Sequence, residues 1–119
     1  MGQRVAILGA GRSGRAAIRL AARVGDTAVC FDEAGAGDLR CFGRDDLAGF
    51  DAFVFSPGFA AEHPWRMLAE ASGKCCQSEL AYAAAHWQGE LIGVTGTNGK
   101  TTVTRLLKEA LSATGRKAV

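Results

Sequence analysis

The feature that most narrows the fold is an apolar run that passes straight into a glycine loop. Arg4 to Leu8 reads as a buried strand, and Gly9-Ala10-Gly11-Arg12-Ser13-Gly14 follows at once. Ala17, Leu20, Ala21 and Val24 then recur at three-and-four spacing, one face of a helix that Gly25 is placed to end. Strand, tight glycine turn and helix, in that order, make the first part of a βαβ unit. Such units build parallel sheets.

The alternation continues. Thr27 to Phe31 reads as a second strand ending at Asp32, and Leu39 to Phe42 as a short third. Arg44 to Ala48 reads as a single helical turn started by Asp45. Ala52 to Phe55 is a fourth strand, closed by Ser56-Pro57-Gly58. Pro64 suits the first position of a helix with Trp65, Leu68 and Ala69 inward and Gly73 at its end. Lys74 to Gln77 is a fifth strand. Ser78 then caps a helix to about Trp87, with Leu80, Ala84 and Trp87 on its inner side. Strands that are continuous apolar runs are buried on both faces. The pattern predicts an α/β fold over residues 1–88: a Rossmann-like parallel five-stranded sheet, order 3-2-1-4-5, with helices on both faces. Ligands of such sheets bind at the carboxyl ends of the strands, near the switch in strand order. The loops Gly9–Gly14, Asp32–Gly37 and Ser56–Gly58 are therefore expected to share one crevice.

A second glycine loop follows the Gln88-Gly89 linker. Leu91-Ile92-Gly93-Val94-Thr95 reads as a strand, and Val103, Leu106, Leu107, Ala110 and Leu111 as one face of a helix over 101–113. Between them lie Gly96, Thr97, Asn98, Gly99, Lys100, Thr101 and Thr102. Glycines let backbone N–H groups turn toward an anion, and the helix N-terminus adds partial positive charge. Lys100 suits the β- and γ-phosphates of ATP, and the Thr101 hydroxyl suits Mg²⁺. Val94 stands where the usual phosphate loop has its first glycine, which comes instead at Gly96. Residues 89–119 read as the start of a second, ATP-binding domain, and Lys117-Ala118-Val119 as a further strand cut short.

Composition excludes several classes. With 119 residues, 48% hydrophobic and 22% charged, the chain has the makings of a core. A net charge of +2 with no basic block, and few aromatics, argues against nucleic acid. Arg15, Arg19 and Arg23 read as the solvated face of the first helix; Arg12, inside the glycine loop, reads equally as an anion contact. No apolar run is long enough for a membrane, and Gly9 interrupts Val5-Ala6-Ile7-Leu8 too early for a signal peptide. Cys30, Cys41, Cys75 and Cys76 lack metal spacing and read as free structural thiols of a reducing compartment, the cytoplasm. His63 and His86 belong to no motif.

In the first loop, Gly9-x-Gly11-x-x-Gly14 follows a strand and opens a helix, and Asp32 comes eighteen residues past Gly14. That context points to a nucleotide with a diphosphate. Taken alone it suggests NAD, with Asp32 accepting from ribose hydroxyls; tight helix–strand packing and a loop aspartate are the structural alternative.

The loop Gly96–Thr102 after a strand resembles the ATP loop of the Mur ligases and their folylpolyglutamate synthetase relatives. Gly9–Gly14 at the start of the chain, Ser56-Pro57-Gly58 after the fourth strand and Ser78-Glu79-Leu80 before the ATP loop resemble one branch of that family, the branch that adds D-glutamate to UDP-N-acetylmuramoyl-L-alanine. The resemblance covers the whole chain but only the beginning of a three-domain enzyme. It implies that ATP phosphorylates the alanine carboxylate and that the D-glutamate amine attacks the acyl phosphate. It implies that Gly11, Arg12 and Ser13 meet the UDP diphosphate, that Asp32 meets the uracil ring, and that Ser56, Pro57 and Gly58 line the same pocket. Asn98 to Thr102 would hold ATP phosphates, with Lys100 offsetting the charge of the moving phosphoryl group. The family follows its aspartate with a small hydroxyl residue and then arginine. Glu33 and Ala34 stand here instead, which leaves that loop's ribose or diphosphate contact open, with Arg12 as a partial replacement.

Two other readings compete: a stand-alone UDP-sugar or nucleotide module without catalysis, and the dinucleotide domain of a dehydrogenase. The second leaves Gly-Lys-Thr-Thr unexplained. The ligase reading implies that these residues alone are inactive, since the remaining magnesium ligands and the D-glutamate site would lie downstream. It also leaves the apolar segment 91–113 to cover the first domain, to pair with another copy or to stay disordered.

Overall fold

The computed structural model describes residues 2–119. The chain forms two compact units, one ending at Gln88 and the other spanning Gly89–Val119.

The first unit is built on a four-stranded parallel sheet: β1 (Arg4–Leu8), β2 (Thr27–Phe31), β3 (Ala52–Phe55) and β4 (Cys75–Ser78), in the order β2-β1-β3-β4. Alternation along each strand sends side chains to two separate cores. Ala6, Leu8, Phe31, Phe53 and Phe55 meet Trp65 and Ala69 of α2 (Pro64–Ala71) on one face. Val5, Ile7, Cys30 and Val54 meet Ala17 and Ala21 of α1 (Arg12–Val24), together with Tyr82 of α3 (Glu79–Ala85), on the other. Helices thus cover both faces, as the apolar runs require.

The first face is aromatic. Phe31 lies edge-to-face with Phe42 at 5.1 Å and with Phe50 at 5.7 Å between centroids. Phe42 and Phe50 flank a 3-10 turn, Arg44–Gly49, and Lys74 Nζ donates to the Leu47 and Phe50 carbonyls at 2.7 and 2.6 Å. The second face is packed by small residues. Gly14, Ala17 and Ala21 form the buried stripe of α1, while Leu20 is half-buried and Val24 is exposed. Small side chains bring the helix axis close to the sheet, which pushes the bulkier residues to its margin.

The expected third strand, Leu39–Phe42, is not formed, so the sheet has four strands and not five. Leu39–Phe42 contributes one parallel bridge, Phe31 to Leu39, at the outer edge of β2. The next rung would need the Asp32 carbonyl, but that carbonyl accepts from the Gly35 N–H at 2.9 Å as the chain turns, so the ladder stops at Leu39. Phe42 then turns into the aromatic core, which draws the chain away from the edge. The bridge nonetheless sits where the order 3-2-1-4-5 puts that segment.

The inner side of α3 also differs from the sequence reading. Leu80 is 74% exposed and Trp87 47%, whereas Tyr82 is buried. Ser78 fixes where the helix starts: its Oγ accepts from the Ala81 N–H at 3.1 Å. Tyr82 Oη then donates to Asp26 Oδ2 at 2.6 Å, while the Gln3 N–H donates to Asp26 Oδ1 at 2.8 Å. Of the four free cysteines, Cys30 is buried and Cys76 half-buried, but Cys41 and Cys75 are exposed, contrary to the expectation that all four pack as apolar residues.

In the second unit, α4 (Lys100–Ala113) is the sole regular element. The strand expected over Leu91–Thr95 does not form, and Leu91 and Ile92 remain more than 60% exposed. A strand satisfies its N–H and C=O groups only against a neighbour, and none adjoins this segment. No helix is long and apolar enough to cross a membrane among the described residues.

The Asp26 contact makes two predictions. Removing the hydroxyl in Tyr82→Phe is expected to lower stability by about 1.5–3 kcal/mol in urea unfolding, since it deprives a mostly buried carboxylate of a donor. Burial pushes the Asp26 carboxyl up, but the donors Tyr82 and Gln3 and the nearby His86 outweigh it and leave the group below its ordinary 3.8. A depressed carboxyl stabilises the fold fully above the unfolded value and loses that contribution as pH falls through the folded one. Acid unfolding followed by circular dichroism below pH about 4 is therefore expected to be less pH-dependent in Asp26→Asn.

Candidate functional site

At the carboxyl ends of β1, β2 and β3 three loops come together. Gly9 leaves β1 with φ +102°, its N–H donating to the Phe31 carbonyl at 2.8 Å. A Cβ built on Gly9 would lie 2.9 Å from Ser56 Cβ and 3.2 Å from the Phe59 ring; one on Gly11 would face Ser56 Oγ at 3.9 Å. The loop after β3 therefore lies directly against the loop after β1. Gly14 makes the closest approach: a Cβ there would stand 1.9 Å from the Gly9 carbonyl oxygen. That contact is backbone against backbone, so glycine is required for α1 to begin where it does.

Asp32 ties in the third loop. Its Oδ2 accepts from the Ala10 N–H at 2.7 Å and its Oδ1 from the Ala34 N–H at 2.9 Å. The Ala10 hydrogen bond is the main cause that holds its carboxyl below the ordinary 3.8, against partial burial and with help from the N–H groups of residues 34–36. Asp32 is thus ionised at neutral pH and acts as a clasp between the ends of β2 and β1.

Of the residues singled out from sequence, Gly11, Arg12, Ser13, Asp32 and Ser56 are brought to this one end of the sheet, with Pro57 and Gly58 exposed beside Ser56. Gly11 is the N-cap of α1 and no side chain caps it, so the first-turn N–H groups, among them those of Arg12 and Ser13, face outward. Arg12 is exposed and forms no ion pair among the described residues. A helix N-terminus with free N–H groups, an unpaired arginine and a hydroxyl is a set of donors suited to a diphosphate.

The second glycine loop, in the other unit, has related local geometry. Gly99 is the N-cap of α4, left-handed at φ +80° and without a side-chain cap. Lys100, Thr101 and Thr102 form the first turn, ahead of the first helical bond, Val103 N–H to the Gly99 carbonyl at 2.9 Å. Gly96, Thr97 and Asn98 precede them in an exposed, irregular stretch. Their free N–H groups, the lysine and the Thr101 hydroxyl are donors and a ligand that fit a nucleotide phosphate and its Mg²⁺. No cluster of three metal-ligating His, Cys, Asp or Glu residues occurs among the described residues.

Sequence reasoning missed two features. One is a contact between Glu33 and His63, whose Oε1 and Nε2 lie 3.5 Å apart. The other is a hollow of about 680 Å³ at the opposite, amino ends of the strands, beside Gln3, Asp26, Gln77 and Tyr82. Both Asp26 oxygens are already engaged there, so the hollow offers little to a ligand. Neither feature has a signal in local spacing, because each joins residues far apart in the chain.

Comparison with known proteins decides the family. The UDP-N-acetylmuramoylalanine--D-glutamate ligase of Syntrophus aciditrophicus is 37% identical over 98% of this chain. The chain belongs to the Mur ligase family. The ligase of the same name from Shouchella clausii is 34% identical over 98% of the chain, and that of Protochlamydia amoebophila is 44% identical over 61%. This Mur ligase chain spans 29% of the length of the first two and 16% of the third. No family model matches it.

Two measurements check this geometry. Gly14→Ala is expected to lower stability by about 1–3 kcal/mol in urea unfolding, whereas Gly58→Ala, with open space around its Cβ, stays within about 0.5 kcal/mol. In native thiol titration Cys41 and Cys75 are expected to react first. Cys30 is buried, its thiol is pushed up to about 11 by burial and by Asp38 and Asp32, and it should react only on unfolding.

Proposed function

We propose that this chain is the N-terminal part of an ATP-dependent ligase that adds D-glutamate to UDP-N-acetylmuramoyl-L-alanine in peptidoglycan precursor synthesis. The convergence of the loops at residues 9–14, 32 and 56–58 on one end of the sheet carries the reading, together with likeness along 98% of the chain to ligases of that name. The first unit is the UDP-substrate domain. The free N–H groups at the start of α1 receive the diphosphate, Arg12 and Ser13 add charge and a hydroxyl, and the Ser56-Pro57-Gly58 turn forms the facing wall. Residues 89–119 open the ATP domain. There Lys100 and the first-turn N–H groups of α4 hold the phosphates, and Thr101 contributes one oxygen ligand to Mg²⁺.

In the whole enzyme the alanine carboxylate takes the γ-phosphoryl group of ATP, and the D-glutamate amine displaces phosphate from the acyl phosphate. This chain's part in that sequence is to bind and orient. The N–H groups and Lys100 stabilise charge on the phosphoryl group as it moves, when they are completed by groups from the rest of the domain. One irregular stretch and one exposed helix make an incomplete nucleotide site, so the 119-residue chain by itself is inactive.

Calorimetric titration of the chain with UDP-N-acetylmuramoyl-L-alanine, UDP, NAD and Mg-ATP tests the reading. UDP and the UDP-sugar are expected to bind more tightly than NAD, Mg-ATP is expected to bind weakly, and ATP with D-glutamate is expected to give no turnover. NAD as the tightest ligand would favour a dehydrogenase domain instead.

A further inference from the structure

We infer that Glu33, held in place by His63, is the group that accepts hydrogen bonds from the ribose hydroxyls of the nucleotide in the crevice. The inference rests on the nucleoside-diphosphate reading above and assigns a contact that reading leaves open. Asp32, the acidic residue at the end of β2, has both oxygens committed to the N–H groups of Ala10 and Ala34. The next carboxylate in the chain is Glu33, whose side chain is 65% exposed. One of its oxygens faces His63 Nε2 at 3.5 Å, and Glu33 forms no hydrogen bond among the described residues.

The histidine is a prepared support. His63 Nδ1 accepts from the Trp65 N–H at 3.1 Å, which places the proton of the neutral ring on Nε2, the atom aimed at Glu33. The ring is wedged against Phe59 at 4.3 Å and edge-on to Trp65 at 5.5 Å between centroids. Its orientation is therefore fixed by helix capping and packing, not by Glu33. An exposed pair at this distance stabilises a fold very little. What it does is limit where the Glu33 carboxylate points.

The position matters as much as the chemistry. Glu33 lies in the loop after β2 and His63 beyond the loop after β3, and those strands flank β1, whose end carries the glycine loop. The contact joins the loops on either side of that glycine loop. A nucleotide with its diphosphate at the start of α1 would bring its ribose toward this end of β2. A carboxylate only accepts, and a ribose diol supplies two donors. The same carboxylate repels a second phosphate group, so the ligand's group at this point is neutral.

Calorimetry with UDP and 2′,3′-dideoxy-UDP tests this on the 119-residue chain, with thermal unfolding of each variant to confirm folding. The parent chain is expected to prefer UDP by about tenfold or more. Glu33→Ala is expected to bring the ratio near one by weakening UDP alone. His63→Ala is expected to reduce the ratio, and His63→Gln, which keeps a donor, to restore part of it. A ratio unchanged in Glu33→Ala, or both ligands weakened equally, overturns the assignment while leaving the crevice intact. Failure of UDP to bind the parent chain overturns the nucleotide reading and this assignment together.

Discussion

The close approach of Gly14 to the Gly9 carbonyl sets the geometry of the first unit. With no side chain at residue 14, α1 begins directly above the end of β1, and the stripe Gly14, Ala17, Ala21 lies flat against Val5 and Ile7. The same contact tightens the loop between them, so that N–H groups at the start of α1 are uncapped and turned outward. Packing and anion recognition are therefore one feature here. A larger residue at 14 would lift the helix and disperse the donors in the same step.

Asp32 completes this arrangement from the neighbouring strand. Its hydrogen bond from the Ala10 N–H fastens the loop after β2 to the loop after β1, and the one from the Ala34 N–H braces its own loop. That clasp is a structural role, which the residue type at this position does not reveal when seen in sequence. Structural and binding roles at the ends of parallel strands draw on the same few acidic residues. Geometry separates them where residue identity does not.

Much of the first unit was legible because its signals are local. Continuous apolar runs marked β1, β2, β3 and the region of β4, and Gly25, Pro64 and Ser78 marked helix ends that the structure places within a residue or two. The misreadings came where the deciding partner is distant. Leu39–Phe42 has the composition of a strand, but the turn after β2 takes up the Asp32 carbonyl that the next rung needs, and Phe42 packs in the aromatic core. In the alanine-rich α3 the spacing puts Leu80, Ala84 and Trp87 on the inward face, whereas Tyr82 faces inward because its hydroxyl donates to Asp26. Leu91–Thr95 looks like a buried strand and has no neighbour to make it one. At the site, the glycines and Asp32 could be picked out by spacing, but the pairing of Glu33 with His63, thirty positions apart, could not.

The Tyr82–Asp26 contact has a consequence for how the protein is made. It joins residues 56 positions apart, and it fastens the last helix of the first unit to the start of β2 and, through Gln3, to the entry of β1. On a ribosome the sheet's first two strands leave the exit tunnel long before Tyr82 does. Until then the α3-facing side of Val5, Ile7 and Cys30 lacks its final cover, and Asp26 lacks its side-chain donor. Completion of the first unit during synthesis should therefore wait for α3 to emerge, with the chain after Gln88 still inside the tunnel and available as a tether.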